Sequence, residues 1–105
     1  MGTVPIEQDD FVSWLCERET EVTGYTGTRF GSPLVEWLSD LARCQCTIEN
    51  ALCGWMSFDC QWRWRALPVW CVRFQQRVDG YAFRPLTGFE ALDLLAHVEL
   101  AIAER

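Results

Sequence analysis

The chain has 105 residues, of which 50% are hydrophobic and 23% charged; this is enough for one globular domain and excludes a disordered tail. The formal net charge is −6, which opposes nucleic acid, and no apolar run approaches the roughly 18 residues of a membrane span. There are nine Arg and no Lys. Residues 1–60 carry net −7, residues 61–86 net +4 and residues 87–105 net −3. The basic strip holds Arg63, Arg65, Arg73, Arg77 and Arg84, and it is expected to meet acidic faces of this chain or of a partner. Met1 to Asp10 has neither a basic n-region nor an apolar h-region, which predicts no secretory signal and a reducing, cytoplasmic setting.

In chain order, a first helix is expected over about residues 9–21, capped by Asp9 or Asp10. Phe11, Trp14, Leu15 and Val22 form its apolar stripe. Cys16 falls on the same helix and is expected to pack inside it. Gly24, Gly27 and Gly31 then break the pattern and predict a loop over Thr23–Ser32. That loop carries Tyr25, Thr26, Arg29 and Phe30, a mixture typical of protein-binding patches. It also precedes a helix, so its amides and Arg29 could cradle a small anion.

Ser32-Pro33 reads as an N-cap followed by the first helical position. The second helix extends to about Arg43, with Leu34, Trp37, Leu38 and Leu41 on its buried face. Residues 44–65 change to a period of two. They predict a two-stranded antiparallel hairpin with its turn at Asn50–Gly54. The strict alternation Trp62, Arg63, Trp64, Arg65 puts the indoles on one face and the guanidiniums on the other. Trp and Arg dominate binding hot spots, so this strand and the Tyr25–Phe30 loop are the candidate partner surface. Stacking of single-stranded nucleic acid on the indoles is disfavoured by the overall charge.

Four of the six cysteines, Cys44, Cys46, Cys53 and Cys60, follow one another closely and are a candidate zinc set. They lack the tight CxxC knuckle that pre-places two ligands. Free buried thiols, and disulfides formed on oxidation, are the competing accounts.

Pro68 opens a third helix over 68–78, with Trp70, Cys71, Phe74 and Val78 inward and Gly80 as its stop. Residues 81–86 read as a connector. Thr87-x-x-Glu90 is a capping box, so a fourth helix is expected over 88–103. Glu90, Asp93, His97 and Glu104 make one narrow polar stripe on it. Leu92, Leu94, Leu95, Val98, Ala101 and Ile102 cover most of the remaining surface, so this helix is either central or shared with a second copy in a homodimer.

His97, the single histidine, is expected to form a solvated pair with Asp93. No nucleophile–base pair or carboxylate dyad is forced together, which points away from an enzyme. The expected fold is α+β, four helices with a small hairpin between the second and third, in one domain over 1–105. The expected function is a non-enzymatic protein-interaction module. Its profile is that of a small inhibitor protein of viral or mobile-element origin that occupies its target. The alternatives are a cysteine-based metal-binding regulatory domain and an anion- or ligand-binding domain using the glycine loop.

Overall fold

Helix α1 occupies Gln8–Cys16 and starts on Glu7, whose side chain makes no capping bond. The expected cap does not form: Asp9 and Asp10 lie inside the first turn, where their charges complement the helix dipole. The helix is also shorter than expected. The chain after Cys16 turns, and the carbonyls of Arg18 and Glu21 accept the Gly88 N–H at 3.1 and 3.2 Å, while Glu19 accepts that of Phe89 at 3.1 Å. The turn that follows α1 thus satisfies amides at the start of a helix some 70 residues away, and this contact outweighs continuation of the local period. Phe11 and Leu15 are fully buried, but Cys16 is exposed rather than internal.

The computed structural model describes residues 6–27 and 31–103, with side chains through His97. Strand β1, Val22–Tyr25, pairs antiparallel with β5, Pro85–Thr87, through Val22↔Thr87, Gly24↔Leu86 and Tyr25↔Pro85. The spacing places Val22 on the stripe of the first helix and leaves the residues after it, like Pro85 and Leu86, outside any regular element; instead Val22 opens β1 and is exposed. Thr26 ties this pair to the chain before β5, its Oγ1 accepting the Arg84 N–H at 2.9 Å. A Cβ on Gly24 would stand 2.4 Å from the Gly31 carbonyl oxygen, so this glycine serves close backbone approach.

Helix α2, Pro33–Ala42, begins as expected: the Ser32 hydroxyl accepts the Val35 N–H at 3.2 Å, with Pro33 at the first position. The same hydroxyl donates to Gln75 Oε1 at 2.9 Å, inside the protein. The expected two-stranded hairpin is instead a three-stranded meander of β2 (Cys46–Glu49), β3 (Leu52–Met56) and β4 (Trp62–Ala66). Asn50 at φ 55° makes the first turn tight, which frees Leu52–Met56 to pair on both edges. The tip Ser57–Gln61 then reverses the chain a second time, with Ser57 N–H donating to Gln61 O at 3.0 Å.

Helix α3 spans Val69–Asp79 and α4 spans Gly88–Ala103. Gly80 follows α3 in the right-handed region, at φ −78°. The capping box of α4 is formed: Thr87 N–H donates to Glu90 Oε1 at 3.1 Å, and Glu90 N–H donates to Thr87 Oγ1 at 3.2 Å.

The core gathers on Phe11. Its ring centre lies 5.1 Å from Trp37, 5.3 Å from Phe74 and 5.6 Å from Trp70, which joins α1, α2 and α3. Cys46, Ile48 and Cys53 close the core from one face of the meander. Helix α4 packs on α1 and α3 through Ala91, Leu94 and Leu95, so its described part is central. The fold class is α+β, with the helices and antiparallel strands expected of it. Among the described residues no helix is long and apolar enough to cross a membrane.

Candidate functional site

The meander has one covered and one open face. The register pairs Gly54 with Trp64, Met56 with Trp62 and Leu52 with Ala66. Alternation puts these side chains on one face and Cys53, Trp55, Arg63 and Arg65 on the other, as the Trp-Arg period predicts. On the open face Trp62 is 52% exposed and Trp64 44%, and their rings stack at 5.9 Å and 24°. Leu52 and Met56 beside them are also exposed, and Phe58 at the tip is entirely so. Four large apolar side chains on one face of the meander, with Phe58 at its tip, leave an uncovered apolar surface.

Gly54 determines how the patch is built. A Cβ there would stand 2.5 Å from Trp64 Cζ3, so the indole lies over a backbone without a side chain. Sequence reading found Trp62 and Trp64 but missed Leu52, Met56 and Phe58. The period of two at Leu52, Gly54 and Met56 carries that signal, but Asn50–Gly54 also reads as a turn.

The tip that carries Phe58 is held by charge. Arg63 Nη2 bonds Asp59 Oδ2 at 2.7 Å, and the Ser57 hydroxyl also donates to that carboxylate. The Ser57 bond, with Arg63 beside it, holds the Asp59 carboxyl below its ordinary range. Next to the tip, Ala42, Cys44, Trp55 and Met56 line an apolar groove of about 550 Å³ that continues the patch around the end of the sheet.

The cysteines divide. Cys46 and Cys53 are buried neighbours on the covered face, and the Cys46 thiol donates toward the Leu38 and Cys44 carbonyls, each at 3.7 Å. The adjoining Cys53 thiol, reinforced by burial, pushes the Cys46 thiol up. The adjoining Cys46 thiol, helped by Arg65 across the strand pair, brings Cys53 down. Cys60 stands apart in the exposed tip, with φ 59°. Among the described residues no three His, Cys, Asp or Glu side chains converge to hold a metal ion.

Of the loop residues, Tyr25 stacks on Phe83 at 5.3 Å with parallel rings, and Tyr81, Phe83 and Phe89, on either side of β5 in sequence, are exposed. Arg29 and Phe30 lie outside the described residues. The loop amides adjoining them are already engaged: Tyr25 N–H donates to Gly31 O, Thr26 N–H to Arg84 O and Gly27 N–H to Val78 O. His97 is exposed, and its Nδ1 donates to the Asp93 carbonyl at 2.7 Å on its own helix.

No family model matches this chain, and no curated protein and no solved structure matches it. What it does must therefore be argued from its own surface.

Proposed function

We propose that this chain is a non-enzymatic protein-interaction module that works by occupying its target, as small inhibitor proteins of viruses and mobile elements do. The observation that carries the reading is the stacked Trp62–Trp64 pair on the open face of the meander. Tryptophan supplies a large contact area with few torsions to immobilise, and it is enriched where binding energy concentrates. The pair is flanked on its face by Leu52 and Met56, with Phe58 at the adjoining tip, which supports an anchor with an apolar border. A cytoplasmic setting belongs to the same reading and is supported by the six free thiols.

The test compares capture of partners from lysate by the parent chain and by Trp64→Ala. Trp64 is exposed, so the variant is expected to keep its circular dichroism and melting temperature. A partner retained by the parent and lost by the folded variant supports the reading. Equal retention by both removes the Trp face from the site.

A further inference from the structure

The phase of the β3–β4 ladder decides which backbone groups of β4 are used. Ser57 N–H donates to Gln61 O, and Leu67 N–H donates to Ala51 O at 2.9 Å. These two bonds flank the strand pair, and hydrogen-bonded pairs recur every second residue in an antiparallel ladder. The bonded pairs within it are therefore Trp55–Arg63 and Cys53–Arg65. Arg63 and Arg65 turn their N–H and C=O groups toward β3, and Trp62, Trp64 and Ala66 turn theirs away from it. Among the described residues β3 is the one sheet neighbour of β4. The opposite edge, β2, is buried over Cys46, Thr47 and Ile48, whereas β4 is exposed along almost its whole length. One edge of this sheet is thus both unpaired and accessible, the condition for strand addition.

We propose that β4 accepts an extended segment of the target as a fourth strand, and that this segment alternates apolar with acidic residues. The inference rests on the reading above and names how the target is held. The side-chain chemistry follows from the two faces of β4. A strand laid alongside it places alternate residues next to Trp62 and Trp64, where apolar groups extend the patch. The intervening residues stand beside Arg63 and Arg65. The pairing of Arg63 with Asp59 shows the chemistry that this face takes. The positive charges carried by β4 itself, on Arg63 and Arg65, favour approach of a carboxylate-bearing segment at this edge. A second copy of this chain is the wrong occupant. Antiparallel pairing of β4 with its own copy about Trp64 would set Arg63 against Arg65 twice, and like charges directly opposite repel.

The probes are two nine-residue peptides, one alternating valine with glutamate and the other valine with lysine. They are titrated against the full chain by tryptophan fluorescence, with amide exchange followed residue by residue. The glutamate peptide is expected to slow exchange at Trp62, Trp64 and Ala66 and to bind at least about tenfold more tightly than the lysine peptide. Ala66→Pro removes an outward N–H while leaving both indoles and the β3 ladder in place, and is expected to weaken binding about tenfold. Reversing charge with Arg63→Glu and Arg65→Glu together is expected to invert the peptide preference, which decides the matter if the proline variant does not fold. Equal affinity for both peptides, binding of neither, or an unchanged preference after charge reversal overturns the proposal. If Trp64→Ala loses the target while folded Ala66→Pro keeps it, strand addition fails and the interaction reading survives.

Discussion

The indole of Trp64 fills the space that a side chain on Gly54 would need, with Cζ3 2.5 Å and Cε3 2.7 Å from the position of the missing Cβ. The absent side chain on β3 sets the pose of the aromatic on β4. Gly54→Ala is expected to lift Trp64 off the sheet, because the exposed ring can swing away while the backbone cannot. Stability should change by no more than about 1 kcal/mol, since the added methyl meets a movable group. Tryptophan emission should shift to the red, and target binding should fall as it does in Trp64→Ala. Unchanged emission and binding would show that the ring pose is immaterial.

Gly88 meets a harder obstacle. A Cβ there would stand 2.3 Å from the Leu15 carbonyl oxygen and 2.4 Å from that of Arg18, both backbone atoms. Gly88→Ala must therefore separate the end of α1 from the start of α4. Overpacking of this kind costs about 2–3 kcal/mol, or roughly 8–20 °C in melting temperature for a domain of this size. Thermal denaturation followed by circular dichroism checks it, and a shift under a few degrees would contradict the junction described.

The cap of α4 makes stability depend on acid. The Thr87 backbone N–H, followed by Arg84 nearby, holds the Glu90 carboxyl below its ordinary range. A carboxyl depressed in the folded state stabilises above its unfolded value, and the contribution disappears as pH falls through the folded value. Melting temperature should thus decline on acidification below the ordinary glutamate range, and Glu90→Gln should flatten that decline. Thr87→Ala, which removes the cap hydroxyl, is expected to cost about 1 kcal/mol at neutral pH. A Gln variant with the parent's full acid sensitivity would exclude the capping carboxylate as its source.

The thiols should differ in access and acidity. Cys16 and Cys60 are exposed, Cys44 is partly covered, and Cys46, Cys53 and Cys71 are buried. Burial also pushes the Cys71 thiol up, and that of Cys44 more mildly. An aromatic disulfide reagent at pH 8 is expected to label Cys16 and Cys60 quickly, Cys44 slowly and the rest only after unfolding. Mass spectrometry of the adducts reads the order. Rapid labelling of Cys71 in the native protein would contradict its place in the core.

Most of the helical framework was legible because its signals are local. Ser32-Pro33 and Thr87-x-x-Glu90 satisfy amides within a few residues of themselves, so capping chemistry alone locates the starts of α2 and α4. Phe11, Trp37 and Phe74 were found by their spacing because the buried stripe of a helix repeats within the helix. The two faces of β4 were legible for the same reason, since Trp62–Arg65 alternates without interruption.

The sequence by itself determined the α+β class, the caps of α2 and α4, the core aromatics and the separation of indoles from guanidiniums. Tertiary structure alone decided where α1 ends, that β1 and β5 pair, that β3 is a central strand, and which face of the meander stays open. Strands β1 and β5 are four and three residues long and carry Gly24 and Pro85, so neither shows a period before the other lies beside it. Helix α1 stops because Gly88 and Phe89 take the carbonyls after it, from the far end of the chain. Gly54 reads as a turn residue until Trp64 is seen over it. Each of these is a contact between segments distant in sequence, and its energy exists only once folding has brought them together.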